Sequence, residues 1–457
     1  MKRRSPENYS KQLRRWDVQS THRHSRGVST IDSLTHQHSR RLVSLRSHHN
    51  IQQDTYTKLP KLHIALYSHD TMGLGHKRRN LLIAQTLAQS PVDTSILLIT
   101  GMGEASNFDI PPGVDYLALP ALHKRKDGKY QSRRLDVPLP EIIALRSHTI
   151  RAALQAFNPD VFIVDNVPRG AVGELNAALE YLRERGKTHC VLGLRDVLDD
   201  PAVVQREWQR AANEQAICDY YDAVWIYGDP TVYDPVQEYA FSPTVAAKVR
   251  YTGYFDQRQR LQFSNAQADE LLASLELPPG RLALCLVGGG QDGASLAQAF
   301  AHATLPPDTN AVILTGPFMP LSLRQQLHAQ AAASPRLRVL EFITEPTQLL
   351  HHADCVVAMG GYNTTSELLS FGKRSLIVPR VTPRTEQLIR AQRLQALGLT
   401  DVLHPDDVSP QSIGEWLARD QIQQTPRDRI DLNGLERLPH LLKEVVVPSS
   451  ITTHQAS

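Results

Sequence analysis

From Leu59 onward, short apolar runs alternate with longer amphipathic segments, and this alternation restricts the fold more than any other feature of the sequence. The short runs predict buried strands, and the segments between them have the period of helices. Strands that alternate with helices in this way form parallel sheets, so we predict an α/β fold. The predicted strands are Leu62–Tyr67, Ser95–Ile99, Asp115–Leu119, Val161–Val164, His189–Leu194, Ala223–Tyr227, Val249–Gly253, Ala283–Val287, Ala311–Thr315, Arg338–Glu341, Cys355–Ala358 and Ser375–Val378.

The alternation stops after residue 253 and then restarts, which predicts two Rossmann-like domains. We place the N-terminal domain at residues 59–253 and the C-terminal domain at residues 254–430, with a hinge at Tyr254–Asp256. A C-terminal helix and tail follow at residues 431–457. Ligands of open parallel sheets bind beyond the carboxyl ends of the strands, so we expect the site in a cleft between the domains.

The N-terminal segment, residues 1–58, has a higher share of basic residues than the rest of the chain. Residues 1–58 contain twelve lysines and arginines against four acidic residues, a net charge of +8. The other residues contain 38 basic and 43 acidic side chains, a net charge of −5. Residues 1–58 lack a sustained apolar period, which predicts a disordered tail. A second basic cluster, Lys124–Arg134, falls in a predicted loop, where it is either solvated or in contact with a phosphate, a lipid head group or an acidic polymer.

Several classes of protein are excluded by the sequence. No apolar run approaches the roughly 18–20 residues that a membrane-spanning helix needs. The basic N-terminus is not followed by the apolar stretch of a secretory signal. Three of the four cysteines lie in predicted strands, which favours buried thiols over disulfides or a zinc site. We therefore expect a cytoplasmic protein, with peripheral contact at the inner face of the membrane as an open alternative.

A glycine loop, Ser68–His76, joins the first predicted strand to the helix Lys77–Gln89. Its glycines allow a ligand to approach the backbone, and the helix start offers free N–H groups. Arg78 stands where the dinucleotide-binding fingerprint requires a glycine, which argues against an NAD site. We predict His76 as a general base, the alternative being a histidine that only hydrogen-bonds its own loop. Further residues of this loop that we expect to contact an acceptor are Asp70, Gly73 and Gly75.

Polar residues also follow two other predicted strands of the N-terminal domain. Asp165 and Arg195 are candidates for binding an acceptor, although helix caps or turns explain an aspartate at such a position equally well. The three cations at Lys77–Arg79 oppose the helix dipole, which predicts either a solvated face or contact with an anionic acceptor or a membrane surface.

The C-terminal domain contains a glycine-rich turn between a predicted strand and a predicted helix. Four glycines lie within residues 288–293, and they suit a backbone cradle for phosphate oxygens at a helix N-terminus. The turn is not a Walker loop because no Gly-Lys-Ser/Thr follows it. The next strand also ends at a glycine, Gly316. The candidate residues of this first loop are Gly288, Gly289, Gly290, Gln291, Asp292 and Gly293.

The segment Met359–Glu367 is the most informative part of the sequence. Gly360 and Gly361 end a predicted strand, and hydroxyl-bearing residues open the predicted helix Thr364–Phe371. Backbone amides and threonine hydroxyls at this position suit a pyrophosphate, and Glu367 suits ribose hydroxyls. Thr364 and Glu367 also have the spacing of a capping box, which needs no ligand.

Together these motifs resemble the donor-binding half of the GT-B glycosyltransferases, in particular the peptidoglycan lipid-linked N-acetylglucosaminyltransferase type with its family 28 C-terminal domain. The resemblance covers roughly residues 60–400. The segments Tyr67–His76 and Arg250–Asp256 are similar to those of a narrower group of predicted bacterial glycosyltransferases. The residues that carry the C-terminal resemblance are Gly288–Gly290, Glu341–Ile343, Gly360–Leu368 and Glu386–Gln387.

The resemblance implies a GT-B-like fold and a nucleotide-diphospho-sugar donor, with UDP as the expected nucleotide. It implies transfer to an unidentified acceptor, which is anionic or lipid-linked, with inversion and without a metal or cofactor. His76 matches the proposed base and Glu367 the ribose-binding acid. No nucleic-acid partner is expected. The implied donor-binding residues are Gly288, Gly289, Gly290, Gln291, Asp292, Gly293, Gly316, Ile343, Gly360, Gly361, Asn363, Thr364, Thr365, Glu367, Glu386 and Gln387.

Two departures from the family pattern keep other functions open. The first glycine loop reads Gly289-Gly290-Gln291-Asp292-Gly293 instead of the common Gly-Gly-Ser-x-Gly, and the acceptor half shows little similarity to the peptidoglycan enzyme. The alternatives are a nucleotide-sugar epimerase, which requires several carboxylates near the sugar, and a non-catalytic nucleotide-sugar-binding protein. For the epimerase the available carboxylates are Asp70, Asp165, Asp292 and Glu386.

Deletion of residues 1–58 tests the charge argument. Because this segment carries a net charge of +8 and the rest of the chain −5, we expect its removal to weaken binding to anionic vesicles at low salt, and we expect added salt to weaken binding of the intact chain. Vesicle co-sedimentation measures both effects. Unchanged binding of the truncated chain at low salt would contradict a role for the tail.

Overall fold

The computed structural model describes residues 61–69, 75–101, 110–124, 129–263, 268–289, 292–343, 345–419 and 423–447. The predicted tail, residues 1–58, lies outside the described residues. The same holds for four candidate site residues, Asp70, Gly73, Gly290 and Gln291. Both sheets described below belong to one compact unit, residues 57–457.

The N-terminal domain is built on a parallel sheet of seven strands in the order β3-β2-β1-β6-β7-β8-β9. Its central strands are buried on both faces, which explains their nearly continuous apolar sequences. A short antiparallel hairpin, β4–β5, follows β3 in the chain and forms a separate two-stranded sheet. The strands are β1 Leu62–Ser68, β2 Thr94–Thr100, β3 Val114–Ala118, β4 Leu122–Lys124, β5 Tyr130–Ser132, β6 Val161–Asp165, β7 His189–Arg195, β8 Ala223–Tyr227 and β9 Val249–Tyr251.

The C-terminal domain repeats this design with a parallel sheet of six strands in the order β12-β11-β10-β13-β14-β15. In both sheets the strand order reverses beside the first strand, between β1 and β6 and between β10 and β13. Ligand crevices open at such switch points, outside the carboxyl ends of the strands. The strands are β10 Arg281–Leu286, β11 Thr309–Leu314, β12 Leu337–Leu340, β13 Cys355–Ala358, β14 Arg374–Ile377 and β15 Asp401–Val402.

Helices connect the strands and cover the sheets. In the described part of the chain no helix is long and apolar enough to cross a membrane. The helices are α1 Gly75–Ala88, α2 Leu139–Phe157, α3 Asn176–Arg185, α4 Pro201–Ala211, α5 Asn213–Tyr220, α6 Pro235–Glu238, α7 Pro243–Lys248, α8 Arg260–Phe263, α9 Ala268–Ser274, α10 Ala294–His302, α11 Leu321–Ala332, α12 Thr347–His352, α13 Tyr362–Phe371, α14 Glu386–Ala396, α15 Pro410–Ala418 and α16 Gly434–Val446. Short 3₁₀ turns lie at Ala171–Gly173, Gln257–Gln259, Pro405–Asp407 and Pro426–Asp428.

The predicted α/β fold with two parallel-sheet domains is confirmed, and every predicted strand is present. The C-terminal helix α16 does not stand apart from the domains, because its leucines pack into the core of the N-terminal sheet. The chain therefore crosses between the domains twice. The two crossings lie side by side: the Tyr254 N–H donates to the Asp431 carbonyl (2.8 Å), and the Gly434 N–H donates to the Tyr254 carbonyl (3.0 Å).

A buried ion pair joins the two domains next to these crossings. Asp196 follows β7, and its carboxylate accepts hydrogen bonds from the Arg390 guanidinium of α14 at 2.6 to 3.0 Å. The Tyr254 hydroxyl donates to the same carboxylate at 2.7 Å. Both charged side chains are almost completely shielded from solvent. Because each charge is desolvated, removing one partner leaves the other uncompensated.

Replacement of Arg390 by alanine tests the importance of this ion pair. We expect Arg390→Ala to lower the free energy of unfolding by about 3–5 kcal/mol, because Asp196 remains buried without its counter-charge. Arg393→Ala on the same helix is the matched control, since the Arg393–Glu238 pair also joins the domains but is half exposed. The control should lose about 0–1 kcal/mol. Equal losses in urea denaturation would contradict the role assigned to burial.

Candidate functional site

The two switch points bring the candidate residues of both domains to a common cleft. The loop after β1 leads into α1, whose first turn carries His76, and Asp165 ends the neighbouring strand β6. In the facing domain the glycine loop after β10 lies beside the segment between β13 and α13. Sequence-distant motifs therefore meet because their strands are neighbours in each sheet.

His76 and Asp165 form a hydrogen-bonded pair, with 2.6 Å between the His76 Nδ1 and the Asp165 Oδ2. Arg79, one turn along α1, donates to the same carboxylate at 2.5 and 2.8 Å. Burial alone would raise the pKa of Asp165, but the charge of Arg79 and the contact with His76 hold that pKa well below its usual range. An ionised Asp165 keeps the proton on Nδ1, which leaves Nε2 of His76 able to accept one.

A cavity of about 500 Å³ lies between the domains. The N-terminal domain contributes the start of α1, Arg133 after β5 and Arg195 at the end of β7. The C-terminal domain contributes its glycine loops, the residues after β12 and the start of α13. The predicted site residues that line this first cavity are Gly75, His76, Arg195, Gly288, Gly289, Gly316, Ile343, Gly361, Asn363, Thr364 and Glu367, and the other lining residues include Arg78, Arg79, Arg133, Phe318, Glu341 and Phe342.

The glycine loops are in direct contact, which explains why a side chain would not fit there. Gly316 has a φ of +73°, and a Cβ on it would lie 2.2 Å from the Gly288 carbonyl oxygen. The Phe318 N–H donates to the Gly289 carbonyl at 2.9 Å. The phenylalanine ring is partly exposed and lines the cavity beside the loops. Only glycine tolerates both the backbone conformation and the close approach.

Helix α13 begins two residues earlier than predicted, at Tyr362. Gly361 is its N-cap, and this residue has no side chain that could satisfy the first N–H groups. The capping-box interpretation of Thr364 and Glu367 is therefore wrong, because Thr364 lies inside the helix. The residues of this uncapped first turn line the cavity, the position in which an anion-binding helix terminus is expected.

Glu367 lies one turn further along α13 and is 2% exposed. Its Oε1 is 3.0 Å from Nη1 of Arg78, which comes from helix α1 of the other domain. The other end of the same guanidinium donates to Glu345 at 2.7 Å. Arg260 adds a second cation, 3.6 Å from the Glu345 carboxylate. Two buried carboxylates of one domain are thus held by an arginine of the other.

The burial of Lys77, Arg78 and Arg79 contradicts the prediction of a solvated face on α1, since each is at most 9% exposed. The helix packs between the two domains instead. Burial raises the pKa of Glu367, and Arg78 acts against this shift. The same arginine helps to lower the pKa of Glu345 despite its burial. Arg78 therefore opposes the effect of burial on the pKa of two neighbouring carboxylates.

Two further hydrogen bonds link the start of α13 to the N-terminal domain. The Asn363 side-chain amide donates to the Gly75 carbonyl at 2.9 Å, and the Tyr362 hydroxyl donates to the Tyr227 carbonyl at 2.8 Å. The Arg79 guanidinium lies over both tyrosine rings, with centroids at 5.3 and 5.5 Å. The first cavity is therefore bounded by groups that also hold the domains together.

The remaining predicted residues lie around the first cavity and not in its lining, as far as the described residues show. Asp165 lies behind His76, and Gly360 and Thr365 support the start of α13. Gly293 is the N-cap of α10, and Asp292 lies 3.6 Å from Arg380. Glu386 and Gln387 both accept hydrogen bonds from Arg380. Glu386 lines a second cavity, which Arg195 shares with the first.

Two contributors were not identified in the sequence. Arg78 was assigned to a basic helical turn, although its position two residues after His76, at the end of a glycine loop, was a usable signal. Glu345 follows β12, two residues after the predicted Ile343. A polar residue shortly after a parallel strand could have extended this third loop.

Part of the C-terminal domain matches a known protein family. Residues 284–427 match the family model described as "Glycosyltransferase family 28 C-terminal domain". UDP-N-acetylglucosamine--N-acetylmuramyl-(pentapeptide) pyrophosphoryl-undecaprenol N-acetylglucosamine transferase from Sorangium cellulosum is 27% identical over 146 residues, 31% of this chain and 36% of that protein. The enzyme of that name from Hydrogenovibrio crunogenus is 26% identical over 183 residues, 38% of this chain and 49% of that protein. The chain spans less than half the length of these relatives.

Solved structures cover more of the chain. The fold is of the GT-B type. The calicheamicin glycosyltransferase CalG4 has a TM-score of 0.55 at 15% identity, covering 86% of this chain and 100% of its own. MurG of Acinetobacter baumannii has a TM-score of 0.52 at 15% identity, covering 84% and 100%. UDP-GlcNAc 2-epimerase of Methanocaldococcus jannaschii has a TM-score of 0.56 at 13% identity, covering 84% and 99%. At these identities the similarity establishes the fold alone.

Replacement of Arg78 by methionine tests the coupling between the domains. Without the guanidinium the pKa of Glu367 rises further, so its protonated fraction increases as the pH falls. We expect Arg78→Met to raise the Kd for UDP about tenfold or more, on the order of one charge-assisted hydrogen bond, with a larger loss at pH 6 than at pH 8.

Arg78→Lys is the matched control, because it keeps the charge but not the two-armed geometry, and it should show a smaller loss with less dependence on pH. Calorimetric titration with UDP at several pH values measures both variants. If Arg78→Met bound UDP like the unmodified protein at every pH, Arg78 would have no role at Glu367.

Proposed function

We propose that the protein is a glycosyltransferase that moves a sugar from a UDP-linked donor to an acceptor hydroxyl. The observation that carries this proposal is one cavity that combines a buried carboxylate and an uncapped helix N-terminus of one domain with a histidine–aspartate pair of the other. The match to a family 28 C-terminal domain covers the donor-side elements of this cavity and supports the proposal.

The proposed donor site follows the order of groups in a nucleotide sugar. The base lies at the backbone of Ile343, the ribose hydroxyls at Glu367, and the diphosphate at the glycine loops and the first turn of α13. Sugar hydroxyls would reach Glu386 and Gln387 past the shared residue Arg195. Further donor-side residues in the proposal are Gly288, Gly289, Gly290, Gln291, Asp292, Gly293, Gly316, Gly360, Gly361, Asn363, Thr364 and Thr365.

The proposed reaction is a single inverting displacement. The acceptor hydroxyl gives its proton to Nε2 of His76, and its oxygen attacks the anomeric carbon. The bond between that carbon and the diphosphate oxygen breaks, and its electron pair leaves with UDP. Backbone N–H groups of the glycine loops and α13 stabilise the negative charge on the leaving group, so the mechanism requires no metal ion. Asp165 stabilises the positive charge that forms on His76.

We further propose that the acceptor is anionic or lipid-linked, and that the protein contacts a membrane peripherally at its inner face. The net charge of +8 on residues 1–58 supports this proposal. The basic cluster at Lys124–Arg134 supports it as well, because Arg133 lines the first cavity on the side of the N-terminal domain. The acceptor side is accordingly assigned to Asp70, Gly73, Gly75, Asp165 and Arg195.

A UDP-GlcNAc 2-epimerase is also among the solved structures that share this fold. The arrangement of the site nevertheless supports the epimerase alternative less well. It requires several carboxylates near one sugar. Asp165 is held by His76 and Arg79, whereas Asp292 and Glu386 both contact Arg380. The fourth candidate, Asp70, lies outside the described residues. A non-catalytic binding protein would not need the His76–Asp165 pair.

Incubation with a panel of nucleotide sugars and candidate acceptors tests the proposal. We expect UDP release that depends on the acceptor, and we expect His76→Ala to lower kcat by about 10²- to 10⁴-fold while the Kd for UDP stays unchanged. Glu367→Ala should instead raise the Kd for UDP about tenfold or more. His302→Ala is the control, because this histidine is exposed in the last turn of α10 and lines neither cavity.

Each alternative predicts a different result in the same assay. Sugar isomerisation without UDP release would favour the epimerase. Donor binding without turnover, insensitive to His76→Ala, would favour the non-catalytic protein. Unchanged UDP affinity in Glu367→Ala would remove the ribose assignment.

A further inference from the structure

A second cavity, of about 690 Å³, lies next to the first on the side of the N-terminal domain. Its walls come from the ends of β6 and β7, from helix α4 and from the segment before α14. Arg195, at the end of β7, lines both cavities. His69 lines the second cavity, and its ring centroid is 5.0 Å from that of His76. The second cavity therefore ends beside the candidate general base.

The lining of this cavity is strongly basic, with five arginines against two glutamates. Arg380 and Arg384 are already paired with carboxylates. Arg195 differs from these two, because it forms no ion pair with a described carboxylate, and its buried Nε has no hydrogen-bond partner among the described residues. Burial lowers the pKa of Arg195, as expected for a guanidinium without sufficient counter-charge. A buried cation of this kind is costly unless a ligand supplies the anion.

Two acceptor atoms in the lining are also without a partner. Glu386 is 5% exposed, and its Oε2 has no hydrogen-bond partner among the described residues. The same is true of Oδ1 of Asn166, the residue after Asp165. Buried polar atoms in native structures normally have partners, so unmet groups around one cavity indicate a ligand. Glu386 is assigned to the donor sugar, so the groups left for a second molecule are Arg195 and Oδ1 of Asn166. An unmet cationic donor beside an unmet acceptor is complementary to a molecule that carries both an anionic group and hydroxyl groups.

We propose that the second cavity binds the acceptor and that this acceptor is a hydroxyl compound with a phosphate or carboxylate group, which Arg195 holds. This inference rests on the proposed function, because it is the nearness to His76 that makes the occupant an acceptor. The planar guanidinium suits the paired oxygens of either anion. Arg169 and Arg210, which also line the cavity and form no ion pair with a described carboxylate, add positive potential around the same anion.

Binding of anions to the UDP-saturated full-length protein tests the proposal, because UDP then occupies the donor site. The soluble probes are glucose 6-phosphate and glucuronate, with glucose as the neutral comparison, and calorimetric titration measures their affinities. The lipid probe is a phosphatidylcholine vesicle that contains a polyprenyl phosphate, measured by co-sedimentation. We expect at least one anionic probe to bind more tightly than glucose. Tighter binding of the soluble probes would indicate a soluble acceptor, and tighter binding of the vesicle probe would indicate a lipid-linked acceptor.

Arg195→Gln should weaken binding of that probe at least tenfold while changing the Kd for UDP by no more than about twofold. Arg195→Lys should retain part of the affinity. Because Arg195 forms no ion pair with a described carboxylate and burial opposes its charge, we expect Arg195→Gln to leave Tm unchanged or to raise it, whereas a structural role would lower it. Arg210→Gln and Arg206→Gln form a matched pair one turn apart on α4, and only Arg210 lines the cavity. Of these two variants, we expect only Arg210→Gln to weaken binding of the probe.

Two results would overturn the inference while leaving the proposed function intact. An equal loss of UDP affinity in Arg195→Gln would assign the guanidinium to the donor diphosphate. Probe affinities that match glucose, or that are insensitive to Arg195→Gln, would remove the anion site. A wild-type protein that fails to bind UDP would contradict the proposed function instead, and titration of the UDP-free protein with the same probes would then decide whether the anion site exists.

Discussion

The site depends on the burial of charged residues in the first turn of helix α1. Arg79 and His76 converge on Asp165 of their own domain, and Arg78 reaches across to Glu345 and Glu367 of the other. Arg78, Arg79, Asp165 and Glu367 are buried, so each of these charges must keep its partner. The same turn therefore orients the candidate base, lowers the pKa of the candidate ribose-binding acid relative to burial alone and links the two domains.

The topology of the two sheets explains why one helix can do this. Both sheets reverse their strand order beside their first strand, so the carboxyl ends of β1 and β6 lie together, as do those of β10 and β13. The cleft is formed where these two pairs of strand ends face each other. Side-by-side crossings at Tyr254 and Gly434, together with the Asp196–Arg390 pair, hold the facing arrangement. A donor bound at α13 would thus contact groups whose positions depend on both domains.

Those elements of the fold that have a distinctive local pattern of apolar residues could be predicted from the sequence. Every strand of the two sheets with a buried apolar run was identified, because burial on both faces demands such a run. The hairpin β4–β5 and the two-residue strand β15 were missed, since neither has a distinctive apolar run. Helices α4 and α5 were also missed, although Asp200 before Pro201 is a recognisable start signal and its side chain does accept hydrogen bonds from the first turn of α4.

The sequence by itself determined the α/β class, the two domains, the glycine loops and the chemical types present at the strand ends, because each of these follows from local composition and spacing. Only the tertiary structure decided which charges meet. From the sequence, Arg78 is expected to be a solvated helical residue, but in the structure it is buried and links Glu345 to Glu367. Glu386 was expected at the donor site, but it lines the second cavity and not the first. Such pairings depend on residues that are hundreds of positions apart. Electrostatic energies at these sites are set by distance and burial, and neither can be read from a single segment of the chain.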